Sequence, residues 1–364
     1  MVLSKFIDRA IGQAPVAVMA YAALEYALDR DLINRVFTEQ AREQYTRELL
    51  LSEMVDLMAA VVCRSQPSVR QAYAAEPPGA TLTAVYDKLA RIEPHVTREV
   101  VRQTAERMRG VIDQLRPNRD RWFTAYETRV LDGNVLKASH HRLKVLRGTR
   151  ASALAGLSVT VLDPDRMLAL DWFPSENGHD QERSLLPAIL ETVQPGEVWV
   201  GDRNFCTTAF LGGIIERGSR FLIRQHESTV RAEELADLRP TGRTSTGTVF
   251  EQRVQLTNVA GIPEVRRVVL RLDNPTEDGD TEIRLLTNLP AKAATAKAVA
   301  ERYRERWGIE KLFLRLTVVL NAEIRPLAYP RAALFGFAVA LVVSKALHEY
   351  RHLHKNRGSC TKTE

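Results

Sequence analysis

Near residue 126 the hydrophobic period changes, and that change limits the fold more than any other feature of the chain. Before it, "NRVFTEQAREQYTRELLLSEMVDLMAAVV" and "TREVVRQTAERMRGVIDQLR" repeat apolar residues at three and four positions, the spacing of a buried helix face. After it, "AYETRVLDGNVL" reads as a strand with a turn. "LAGLSVTVLD" and "MLALDWFP" read as two more strands, joined by the "DPDR" turn at 163–166. "DQERSLLPAILETV" is expected to be a helix. "GEVWVGDRNF" is a short buried strand ending at Asp202, "TTAFLGGIIERG" a helix stopping at Gly218, and "SRFLIRQ" a fifth strand. Three antiparallel strands, then helix, strand, helix and strand, make a mixed α/β core. Residues 226–290 interrupt it with "VFEQRVQLTNV", "EVRRVVLRLD" and "TEIRLLTNL", an antiparallel β insertion. A long helix from Ala294 to about Leu320 then resumes the α/β pattern.

Four segments follow: a helical N-terminal region at 1–125, a core at 126–225 and 291–330, the insertion at 226–290, and a C-terminal helix with a basic tail at 331–364. The longest apolar stretch, "AALFGFAVALVV" from Ala332 to Val343, is too short to span a bilayer and reads as a buried helix. The N-terminus lacks the apolar core of a signal peptide. Cys63, Cys206 and Cys360 are scattered, so neither a zinc ribbon nor a disulfide framework is expected, and a reducing cytosol fits. Lys plus Arg number 51 against 45 Asp plus Glu, a net charge of +6 in which arginine dominates. Arginine binds phosphate through two parallel hydrogen bonds, so nucleic acid is a candidate partner. A GC-rich genome accounts for the same bias. The arginines of the second helical segment, Arg98, Arg102, Arg107, Arg109 and Arg116, read as a solvated face or, more sharply, as a DNA-facing one.

Three carboxylates stand out. Asp132 in "VLDGN" and Asp202 in "VWVGDRNF" are placed where strands end in turns, positions that hold a side chain rigidly while a loop exposes it. Glu310 lies in "YRERWGIEKLF", where Tyr303, Arg306 and Glu310 at i, i+3 and i+7 share one helix face. Taken singly, each aspartate also reads as a turn former and the Arg306–Glu310 pair as a surface ion pair. Carboxylates converging from separate elements bind a pair of hard divalent cations, magnesium being the natural choice, and such pairs carry out phosphoryl transfer.

The tyrosine, two residues, arginine, three residues, glutamate spacing resembles the signature of DDE transposases of bacterial insertion sequences, in the insertion-sequence-four group. "VLDGN" is similar to that family's first acidic segment, "VGDRNF" to its second, and residues 226–290 to its β insertion. The resemblance covers roughly residues 125–325. It implies an RNase H-like core with Asp132 on the first strand, Asp202 at the end of the fourth and Glu310 on the helix after the insertion. It implies two Mg²⁺ (or Mn²⁺) ions held by Asp132, Asp202 and Glu310. The implied reaction is metal-dependent nicking at the element's ends. The freed 3′-hydroxyl then attacks across the duplex or into target DNA. Tyr303 and Arg306 would hold a phosphate or the flanking strand. The partner would be double-stranded DNA, the complex a homodimer, and the place a bacterial cytoplasm at the nucleoid, with no membrane. The family's lysine, after six further residues, is Thr317 here, with Arg315 or Arg325 as substitutes. A catalytically weakened DNA-binding relic and a nuclease on the same fold are the alternatives.

Other residues extend the expected DNA path. Arg203 and Asn204 flank Asp202 and would position a phosphate. "ASHHRLKVLRGTR" brings His140, His141, Arg142, Lys144, Arg147 and Arg150 just after the first catalytic strand, as a DNA-lining loop or a solvated one. Ser139 and His140 lack a nucleophile-elbow pattern. Trp307 reads as core packing, with base stacking as the sharper reading. In "GHDQER", which also offers His179 and Glu182, Asp180 reads as a helix cap, and Cys206 reads as structural.

Overall fold

The structure is a computed structural model. It describes residues 15–44, 48–115, 119–136, 156–177, 180–226, 228–277, 279–324 and 329–360, with backbone only at 15–17, 19–20 and 346–360. The loop with Ser139, His140, His141, Arg142, Lys144, Arg147 and Arg150 lies outside the described residues, as do Arg116, His179 and Arg325.

Among the described residues six helices come first: α1 (Pro15–Ala27), α2 (Arg30–Gln40), α3 (Leu51–Val62), α4 (Val69–Ala75), α5 (Leu82–Arg91) and α6 (Pro94–Leu115). Short polar side chains start several of them by accepting orphan backbone N–H bonds. Asp29 caps α2, Ser68 caps α4 and Thr81 caps α5. In α6 the three-and-four spacing is realised as a buried stripe of Val96, Val100, Val101, Ala105, Met108 and Ile112.

The sheet begins with β1 (Glu127–Val135), β2 (Leu157–Asp163) and β3 (Leu168–Ser175), paired antiparallel. The short α7 (Leu186–Leu190) leads into β4 (Glu197–Gly201). That strand lies parallel to β1, with Val130 opposite Val200. Helix α8 (Thr208–Glu216) crosses over to β5 (Arg220–Arg224), parallel to β4. All of β4 is buried and so is the middle of β5, as parallel strands covered on both faces must be. Gly218, at φ +70°, closes α8 in a left-handed turn. The strand order β3-β2-β1-β4-β5 is the mixed α/β core expected from the sequence.

The insertion supplies β6 (Ala232–Glu234), β7 (Arg239–Thr244), β8 (Gly247–Leu256), β9 (Glu264–Leu272) and β10 (Glu282–Thr287). β10 pairs with β5, so these strands continue the core sheet instead of standing apart from it. The result is a ten-stranded mixed sheet. β5 would otherwise present an open edge of unpaired backbone groups.

One sheet face packs Val130, Leu162 and Trp172 against the helical layer. The other packs Leu131, Val159, Phe173, Trp199 and Phe221 against Phe205, Phe210 and Ile214. The described residues end in α11 (Pro330–Cys360), preceded by α9 (Ala296–Glu305) and α10 (Trp307–Val318). In α11 the stretch from Ala332 to Val343 is buried among α1, α3, α5 and α6, as expected. No helix among the described residues is long and apolar enough to cross a membrane.

Three expectations are corrected. The helix from Ala294 to Leu320 is broken at Arg306. There the backbone N–H bonds back to Tyr303 O and the carbonyl accepts from Ile309 N, three-residue steps that tighten the turn. Gly308 follows, a weak helix former. The arginines of α6 do not form a simple solvated face: the described ones are tied to carboxylates, with Arg102 staying half-exposed. Arg98 makes two 2.8 Å bonds to Asp171 of β3 and lies 3.8 Å from the Phe173 ring centroid. Arg102 pairs with Glu99, Arg107 with Asp29 and Arg109 with Glu127. Asp180 does not cap a helix. It accepts from Ser175 and Asn177 in the preceding turn, and the 3-10 turn Glu182–Leu185 starts at Gln181 with no side-chain cap.

Candidate active site

Asp132 lies within β1, not at its end. Pairing continues beyond it to Val135 opposite Leu157, and Gly133 takes its regular place opposite Val159. The "DGN" triplet, expected to turn, is strand because β2 supplies hydrogen-bond partners along its whole length. Directly opposed residues share a sheet face, so Asp132 projects with Val130 and Thr160 toward the helical layer. Its side chain is 15% exposed.

Asp202 follows the last residue of β4 and caps the 3-10 turn Arg203–Phe205, its Oδ1 accepting from Asn204 N at 2.8 Å. Because β1 and β4 run parallel in register, the end of β4 brings Asp202 beside Asp132. Glu310 comes from the first turn of α10.

Arg306 joins these elements. It is 8% exposed and sits at the break between α9 and α10. Its Nη2 donates to Glu310 Oε1 at 3.1 Å, and its Nη1 lies 3.6 Å from Asp132 Oδ1. Its guanidinium lies over the Tyr303 ring, 5.8 Å from the centroid. Tyr303 is buried, and burial pushes its phenol up to about 12. In this placement the ring supports Arg306 from below. Nη1 and Nε of Arg306 are buried without a hydrogen-bond partner among the described residues. Burial pushes the Asp132 carboxyl up to about 7. Asp202, Glu310 and Glu182 add to the rise and Arg306 opposes it.

Glu182, named in the sequence only as part of "GHDQER" and given no role there, joins this group. Its carboxyl is raised by burial first and by Asp202 next. A Cβ on Gly133 would fall 1.9 Å from Glu182 Oε1, so the glycine leaves the space this carboxylate fills. The signal was present in the same "DGN" triplet, read there as a turn.

The donor set is all carboxylate oxygen, which suits Mg²⁺ or Mn²⁺ and not a soft metal. Among the described residues, no three acidic, His or Cys side chains are drawn together as a ready-made metal cage. Arg306 instead supplies the positive charge between Asp132 and Glu310.

Among protein-family models, one described as a transposase DDE domain matches residues 125–341, which span all of these residues. The chain belongs to the DDE transposase family. No curated protein matches the sequence. Among solved structures the chain is similar to the piggyBac transposase, seen by cryo-EM in a synaptic complex with hairpin DNA. The identity is 12% and the TM-score 0.46, over 93% of this chain and 76% of that one.

The other residues expected near the site lie in the turn after β4 and on α10. Arg203 is exposed and borders an open groove of about 560 Å³ with Arg224, His226 and Arg284. Asn204 bonds through its backbone to Asp202 and through its side chain to Glu182. Trp307 is 60% exposed, which overturns its reading as core packing. Helix α10 buries Ile309, Leu312 and Leu316, and Trp307 lies off that stripe. Arg315 is exposed on the same helix. The Thr317 hydroxyl is turned back onto the Phe313 carbonyl, and its own carbonyl accepts from Arg64 Nη2 of the helical layer at 3.3 Å. Cys206 is buried and its thiol is pushed up to about 11, which suits a structural residue.

Proposed function

We propose that this DDE-family chain is a DNA transposase of the insertion-sequence-four group, cutting at the ends of a bacterial insertion sequence and joining them to target DNA. The observation that carries the reading is Arg306. It is buried at a helix break with Asp132 of the first strand on one side and Glu310 on the other, while parallel pairing sets Asp202 beside Asp132. The motif spacing that suggested the family thus corresponds to a physical convergence of its members.

Asp132, Asp202 and Glu310 are the residues that would hold two Mg²⁺ or Mn²⁺ ions. Such ions, when bound, activate the attacking oxygen and stabilise the leaving one. The chain's own residues bind and orient. Arg306 sits where a guanidinium neutralises a scissile phosphate, and Tyr303 holds Arg306 in place. Arg203, Asn204 and Arg315 approach the DNA backbone around the site, Trp307 offers an exposed ring for an unpaired base, and Arg142 and Lys144 extend the path. In the first step a water oxygen bonds to phosphorus at the element boundary and the P–O3′ bond breaks, leaving a 3′-hydroxyl. In the second, that hydroxyl attacks another phosphodiester and displaces its 3′-oxygen. The substrate is double-stranded DNA carrying terminal repeats, held by a homodimer in a bacterial cytoplasm. The proposed division is a helical accessory region at 1–125, a catalytic core at 126–225 and 291–330, an insertion at 226–290 and a C-terminal helix at 331–364.

The test is nicking of labelled DNA that carries the flanking element ends, with Mg²⁺ or Mn²⁺ and with chelator. Wild type is expected to cut at the boundary. Asp132→Asn, Asp202→Asn and Glu310→Gln are each expected to lose activity by about 10³-fold or more while retaining DNA binding. Binding without cutting under either metal would refute the catalytic reading. It would favour a DNA-binding relic, for which Thr317 in place of lysine is the supporting observation.

A further inference from the structure

Glu182 lies at the start of the 3-10 turn Glu182–Leu185, between β3 and β4. It approaches β1 at Gly133, from the sheet face opposite the one to which Asp132 projects. The approach is close enough that a methyl group on Gly133 would overlap Oε1, at 1.9 Å. Asn204 ties this carboxylate to Asp202. Its backbone N–H donates to Asp202 Oδ1 at 2.8 Å, and its side-chain amide is 3.4 Å from Glu182 Oε2. Arg183, the next residue, donates to the Asn204 carbonyl at 2.8 Å and so locks the two turns together.

The charges divide into two pairs. Asp132 and Glu310 share the Arg306 guanidinium. Asp202 and Glu182 are held on one asparagine, and among the described residues neither forms an ion pair with a Lys or Arg. Two carboxylates fixed side by side repel each other unless a cation lies between them. Asn204 holds them together all the same, and Gly133 is shaped to admit the second.

We propose that Glu182 is a fourth carboxylate of the metal centre, an oxygen donor on the Asp202 side. This rests on the reading of Asp132, Asp202 and Glu310 as metal ligands. Glu182 and Asp202, joined through Asn204, would share one ion. Arg306 would leave the other carboxylate pair half-neutralised for the second ion. Gly133 is then a specificity element of the centre, because a larger side chain there must displace the Glu182 carboxylate.

The experiment is Mn²⁺ binding to the full-length, DNA-free protein, followed by water-proton relaxation, with no activity needed for the readout. Glu182→Gln is expected to weaken Mn²⁺ binding by about tenfold to a hundredfold. Gly133→Ala should weaken it similarly by displacing the carboxylate. The double variant should lose no more than the worse single, because both act on one group. Glu191→Gln, an exposed neighbour, should bind as wild type does. If Asp202→Asn loses binding while Glu182→Gln binds as wild type, the fourth-ligand proposal is overturned and the three-acid reading stands. Additive losses in the double variant would overturn the shared mechanism. A wild type that binds no Mn²⁺ would overturn both readings.

Discussion

At the scale of single residues, Arg306 sets the charge balance between Asp132 and Glu310. Its charge is balanced by Asp132 and Glu310, and removing it leaves two carboxylates facing each other. Arg306→Ala is therefore expected to destabilise the protein by about 2 kcal/mol in urea denaturation. That is less than for a fully buried pair, because Glu310 is 47% exposed. Arg306→Lys should recover part of the stability, since the charge returns, but not the two-sided grip, which needs a planar guanidinium. Lys345 is the other residue with a large consequence. It is buried in α11, donates to the Val101 carbonyl at 2.6 Å, and is pushed down to about 7 by burial, with Asp171 opposing the shift. An unfolded lysine titrates near ~10.4. Between pH 7 and that value the unfolded chain holds a proton that the folded chain lacks, so stability rises with pH across that window. Below it both states are charged and the penalty is full. Lys345→Met should flatten that slope in thermal melts from pH 7 to 10 and raise stability at pH 7 by on the order of 3 kcal/mol.

At the scale of elements, α6 is fastened to the sheet by charge as well as by its apolar stripe. Arg98 meets Asp171 through two bonds while covering Phe173, so Arg98→Ala removes both an ion pair and a packing surface. The expected loss is about 2 kcal/mol. A double-mutant cycle with Asp171→Asn should show coupling, and additive losses would refute the staple. The break between α9 and α10 is the second element-scale feature. An uninterrupted helix would carry Arg306 and Glu310 past β1 on a straight axis. The tightened turn at Arg306 lets α10 start afresh with Glu310 in its first turn, where a carboxylate is favoured by the helix dipole.

At the scale of the whole molecule, the sheet is the frame. Because β10 pairs with β5, the insertion is part of the same hydrogen-bonded structure as the strand that bears Asp132 and the one that leads into Asp202. Replacing residues 226–290 with a short linker is expected to leave β5 as an open edge and to give insoluble protein, checked by fractionation after expression. If the shortened protein is soluble and monomeric, the insertion is dispensable to the frame. Amide exchange in the intact protein should show β5 as protected as β4.

Much of this was readable in the sequence because the signals were local. Apolar spacing marked α6 and the buried end helix, an apolar run marked β4, and the Tyr303, Arg306, Glu310 spacing marked the helix segment that meets β1. Each depends on residues a few positions apart, whose side chains the helix or strand geometry places directly. What the sequence left open depends on residues far apart in the chain. The "DGN" triplet is strand only because β2 pairs along it, and the α6 arginines are staples only because Asp29, Glu127 and Asp171 lie opposite them. Glu182 enters the site only because folding brings it over Gly133 and against Asn204, contacts 49 and 22 residues apart in sequence. Local patterning determined the elements and named three of the acids. Only tertiary packing, which sets charges from separate elements side by side in a low-dielectric interior, decided which charges compensate one another and which carboxylate joins the other three.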